Sequence, residues 1–156
     1  MSFKESIATF YPISSDVNID DYVDGKTVPP PCIVRKIKEF PSVTWVNCII
    51  GVHLYYKVGV NYYIILNAYD PNEEKVSIIS EGMNMPHKFF DITYNDNIVS
   101  YFLNSYIEKL EIKSSGVYRL VATLYSGDIS DHPDDKVKLS ESSSYLNIIN
   151  GDENNE

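Results

Sequence analysis

The chain has 156 residues, of which 44% are hydrophobic, 13% aromatic and 22% charged, with a formal net charge of -9. A chain of about 150 residues can bury roughly two-thirds of its unfolded surface in one core, so folding needs neither disulfides nor metals, and the aromatic and β-branched content excludes wholesale disorder. With 13 basic residues against 22 acidic ones, no clustered Lys/Arg surface is available for phosphates, and a nucleic-acid partner is not expected.

The first ten residues place Lys4 beside Glu5 and carry no apolar run of signal-peptide length. The most apolar stretch, Val43 to Val60, is broken by Asn47, Gly51, His53 and Lys57, short of the roughly 18 consecutive apolar residues of a spanning helix. A soluble, cytoplasmic protein with no membrane partner is the expectation. Cys32 and Cys48 show no CxxC or zinc spacing, so two reduced thiols serving as small core residues are expected. A disulfide between them would need an oxidising compartment, for which the sequence gives no signal.

No period of repeat length recurs. Short runs of Val, Ile, Tyr, Phe and Thr alternate with clusters of Asp, Asn, Gly, Pro and Ser, which is a strand-and-turn pattern. Asn18 to Gly25 superficially resembles a calcium loop, but aligning Gly25 at the sixth position puts Tyr22 at the third and Pro31 at the twelfth, where oxygen ligands belong. A turn with solvated carboxylates is the expectation there.

The alternation Thr44, Val46, Cys48, Ile50, Val52, Leu54, Tyr56 predicts a long strand. Its other face, Trp45, Asn47, Ile49, Gly51, His53 and Tyr55, is also partly apolar, so the strand should be central and covered on both sides for part of its length. Asn61 to Tyr69 predicts a second strand. The connector Lys57 to Val60 contains a Gly, which predicts an antiparallel hairpin between the two. Asp70-Pro71-Asn72-Glu73 ends the second strand, and short strands follow at Lys75 to Ser80 and Phe89 to Thr93. Ile98 to Leu110 has apolar residues at threes and fours; the reading is a turn of helix over Ile98 to Asn104, then strand from Tyr106. Val117 to Tyr125 and Ser143 to Ile149 predict two further strands around an acidic loop, Ser126 to Asp135. Residues 1–150 form the domain, and 151–156 read as a disordered acidic tail.

The stretch Leu110 to Leu120, with Ser114-Ser115-Gly116-Val117-Tyr118, resembles the approach to a late strand of immunoglobulin-like sandwiches. The resemblance implies that the Tyr118 hydroxyl bonds back to the corner backbone. It puts Leu120 where antibody domains carry their second Cys, so no antibody-type disulfide is implied, and it makes Trp45 a candidate core tryptophan. More loosely, the order Asp24-Gly25-Lys26, Ile37 to Pro41, two long apolar strands and Leu110 to Leu124 is similar to small prokaryotic sandwich proteins of unknown function. That similarity supplies no catalytic residues. Together these readings predict an all-β, immunoglobulin-like antiparallel β-sandwich with at most one short helix.

Chemistry is sparse. The motifs GxSxG, GxxxxGK[ST] and GxGxxG are absent. Of His53, His87 and His132, only His132 stands among carboxylates, so Asp131, His132, Asp134 and Asp135 are the metal candidates and the basis of an alternative hydrolytic or metal-dependent reading; a solvated acidic loop is the default. No cofactor and no catalytic residue is expected. Thirteen tyrosines favour a binding role, because Tyr offers a large contact area with a polar tip; Tyr55, Tyr63, Tyr69 and Tyr125 are the candidates for a protein partner or for self-association. Residues 126–156 hold eight acids against Lys136 and Lys138, so about two-thirds of the net charge is terminal and the body is only mildly acidic.

Overall fold

The computed structural model describes residues 4–23, 27–55, 61–78, 89–127 and 137–152. Nine strands and one helical turn are present among them: β1 (Ser6–Pro12), α1 (Asp20–Val23), β2 (Val34–Ile37), β3 (Ser42–Tyr55), β4 (Tyr62–Tyr69), β5 (Ser77–Ile78), β6 (Phe89–Asn95), β7 (Ile98–Ile112), β8 (Gly116–Ser126) and β9 (Val137–Asn150). One sheet runs β1-β3-β7-β5, with β6 also paired to β7; the other runs β2-β9-β8-β4. The fold is all-β. The second sheet is mixed, because β2 lies parallel to β9 while its other pairs are antiparallel.

Alternation puts Val46, Cys48, Ile50, Val52 and Leu54 of β3 on the same core as Leu66 and Ala68 of β4, Leu120, Ala122 and Leu124 of β8, and Leu146 and Ile148 of β9. The inner faces of the two sheets therefore share one apolar core. On the opposite side of β3, Ile49 is fully buried against Ile13 and Ile19. The chain after β1 lies over that side, tied down by Ile13 N donating to Asn47 O and by Tyr11 OH donating to Pro29 O at 2.8 Å. The predicted central strand is thus covered on both faces in its middle.

Several expectations are corrected. Strands β3 and β4 do not form a hairpin. β7 pairs with β3 from Ser42 to Tyr55 and β1 takes much of the other edge, so β4 has no edge to join and pairs with β8 instead. The crossing between sheets is pinned where the Tyr62 hydroxyl reaches Glu5 Oε1 at 2.9 Å and the Tyr55 carbonyl at 3.2 Å. Ile98 to Asn104 is strand, not helix. Val99, Tyr101 and Leu103 belong to the main core and Phe102 to the cluster on the other face; a strand that is apolar on both sides mimics helical spacing. The one helical turn falls instead on Asp20–Val23, and β1 and β2 are strands that the sequence pattern missed.

The tyrosine of the late strand behaves as the resemblance implies: buried Tyr118 donates to Ser114 O at 2.8 Å. Gly116 has φ +142, and a Cβ there would stand 2.6 Å from Pro71 Cγ, so both conformation and space require glycine.

Cys48 is fully buried, but Cys32 is only half-buried and is not a core residue. Both are free. Cys32 N donates to Pro12 O, and Pro12 is the register partner of Cys48, so β1 stands between the two cysteines. Two strand spacings amount to about 9–10 Å, beyond the reach of a disulfide.

Trp45 is 42% exposed and not a core tryptophan. Thr44 pairs with Leu110 and Val46 with Ile107, so Trp45 alone opposes both Glu108 and Lys109. The extra residue of this bulge is on β7; alternation along β3 is unbroken and sets the Trp45 ring on the face opposite Val46, 5.7 Å from the ring of Tyr106.

Candidate protein-interaction face

The residues of β4 and β8 that do not point into the core make up the outer face of the four-stranded sheet. Register sets them in rows: Tyr69, Arg119 and Tyr145; then Asn67, Val121 and Ser143; then Ile65, Thr123 and Glu141; then Tyr63, Tyr125 and Lys138. Three of the four predicted tyrosines, Tyr63, Tyr69 and Tyr125, therefore share one face. Tyr63 and Tyr69 are six residues apart, about 20 Å along the strand. Tyr55 is in the other sheet, on β3, and does not join them.

Each end of the face is ordered by its own contacts. At one end the Tyr63 and Tyr125 rings stack at 5.3 Å with planes 15° apart, which fixes two large side chains as a single slab. At the other end Arg119 lies 4.5 Å from the centre of the Tyr69 ring and donates from Nε and Nη2 to Glu73 Oε2 at 3.1 and 2.7 Å. The hydrogen bond to Glu73 raises the pKa of the guanidinium. Glu73 is presented by the predicted turn. The Asp70 carboxylate accepts from Asn72 N and Glu74 N at 2.9 Å each, and Glu73 adopts φ +64. Tyr145, 56% exposed, extends this end onto β9.

Arg119 and Tyr145 were not among the sequence candidates. Their signal was present: each alternates with a core residue, Leu120 and Leu146 respectively, and so must face outward on a strand. Trp45 and Tyr106 carry the same signal, since they alternate with the buried Val46 and Ile107.

Two small recesses lie elsewhere among the described residues. One, of about 200 Å³, is lined by Ser14, Asp16, Cys32, Arg35, Lys36 and Leu146. Arg35 is turned onto β3, with Nη1 donating to Trp45 O at 2.6 Å and Nη2 to Thr44 Oγ1 at 2.9 Å. The other, of about 130 Å³, includes His53, Asp91, Ser100 and Tyr101. His53 Nδ1 and Ser100 Oγ are 2.7 Å apart across the β3–β7 pair. No group of three His, Cys, Asp or Glu among the described residues could hold a metal ion. Asp131, His132, Asp134 and Asp135 lie outside the described residues. Among the described residues no helix is long and apolar enough to cross a membrane. No protein-family model and no curated protein matches the sequence.

Proposed function

We propose that this protein is a non-catalytic protein-interaction module on an immunoglobulin-like β-sandwich, and that the outer face of β2-β9-β8-β4 is its binding surface. One observation carries the reading: Tyr63, Tyr69, Tyr125 and Tyr145 project from three adjacent strands on one side of one sheet. Tyrosines held by a stack and by an arginine lose little entropy on binding and offer a large ring area, which suits a protein partner; the Tyr63 oxygen is itself buried and adds no polar tip. The immunoglobulin-like assignment is supported by two shared inner faces, by the Tyr118 to Ser114 hydrogen bond and by Gly116 two residues before that tyrosine.

The test is capture from source cells with wild-type protein and with a Tyr63→Ser, Tyr69→Ser, Tyr125→Ser, Tyr145→Ser variant. A partner retained by the wild type and lost by the folded variant is the expected result. Equal retention by both, or no retained protein, overturns the proposal.

A further inference from the structure

A second surface lies on the other sheet, at the end of β3 that the chain after β1 leaves uncovered. It presents Val43 at 60% exposure, Trp45 at 42% and Ile78 at 43%, with Tyr106 against Trp45. Tryptophan and tyrosine in contact, flanked by exposed aliphatics, have the composition of an interface centre. On β7 the residues opposite Trp45 and Val43 include three charges, Glu108, Lys109 and Glu111. One carboxylate oxygen of Glu108 is buried, whereas Lys109 and Glu111 flank Leu110, which is fully buried, so these two charged side chains point outward. Lys109 is opposite Ile78 of β5, and Glu111 is opposite Val43 of β3.

This arrangement is self-complementary. A two-fold axis lying between two such faces, crossing the strands above Leu110, reverses strand direction. It sets Lys109 against the partner's Glu111 and Glu111 against the partner's Lys109. The same operation brings Trp45, level with Lys109 because of the bulge, over the partner's Val43. We infer that a second copy of this chain docks here, forming an isologous dimer through the outer face of β3-β7-β5. Oppositely charged residues two apart on one strand satisfy each other only in this antiparallel apposition; a parallel one would oppose like charges.

Trp45 is the chain's single tryptophan, so its emission reports on this face alone. Sedimentation and fluorescence across about 1 to 100 µM, the range of modest protein–protein affinities, should show dimer formation together with a blue shift. Lys109→Glu makes both charge contacts repulsive and should weaken the dimer at least about tenfold. The charge swap Lys109→Glu with Glu111→Lys restores both contacts and should restore the dimer. A monomer at every concentration, or a swap no better than the single reversal, overturns the inference. The Tyr63, Tyr69, Tyr125 and Tyr145 variant leaves this face intact and should dimerise as wild type; dimerisation lost there with no change in Trp45 emission would place self-association on the tyrosine face and also overturn it.

Discussion

Tyr63 and Tyr125 stack across the β4–β8 pair, 5.3 Å between ring centres. The two rings are in contact, so their contributions to stability are coupled. A double-mutant cycle with Tyr63→Ala and Tyr125→Ala should return a coupling of about 0.5–1.5 kcal/mol from urea unfolding. Additive losses would mean that the stack is incidental.

Tyr118 contributes differently, through its hydroxyl. The ring is buried in the core and the oxygen donates to Ser114 O at the corner between β7 and β8. Tyr118→Phe keeps the ring and removes the bond, so a loss of about 1 kcal/mol is expected, read as a lower urea midpoint with an unchanged slope. No change in midpoint would show that the hydroxyl does not hold the corner.

Gly116→Ala is expected to cost more than about 1 kcal/mol, because the new methyl meets Pro71 and the positive φ is strained for any L side chain. Relief should come from Pro71→Ala in the same chain if the steric part is the larger. Wild-type stability in Gly116→Ala contradicts the packing of the Asp70 turn on β8.

The two thiols should be separable by a disulfide-exchange reagent. Complete burial pushes the Cys48 thiol well above its ordinary pKa, so it is both inaccessible and protonated. Cys32 lines a surface recess. One thiol per chain should react in the native state and two in denaturant; Cys32→Ser should abolish the native reaction.

Alkaline stability should depend on Tyr62. Burial first, then the hydrogen bond and charge of Glu5, raise its pKa from 10.0 to about 12. The unfolded chain ionises this phenol at a lower pH than the folded one does. Its contribution is therefore complete below pH 10 and lost as pH rises from about 10 to about 12. Following unfolding free energy over that window, Tyr62→Phe should show a shallower decline than wild type. Identical declines would remove Tyr62 as a cause.

Much of this structure is legible in local pattern. Alternation alone places Val46 to Leu54, Leu66 and Ala68, and Tyr118 to Leu124 on inner faces, because a strand offers its neighbours every second residue. The same alternation puts Tyr63, Tyr69 and Tyr125 outside, and Asp70-Pro71 stops β4 through turn chemistry that needs no tertiary partner. Pattern fails where coverage is double or pairing is distant. Phe102 packs beneath the segment after β1 while Leu103 enters the main core, so β7 reads as a helix until both layers are in place. Which strands pair was also beyond the sequence: β4 leaves β3 for β8 because β1 and β7 already occupy the hydrogen-bonding edges of β3. The position of Trp45 is the plainest case. Alternation puts it on the face of β3 opposite Val46, the face that also buries Ile49, and only the tertiary structure shows that the cover over Ile49 does not extend to Trp45. Sequence determined which residues alternate; the tertiary structure decided which strands meet, and the register between them decided what each face shows.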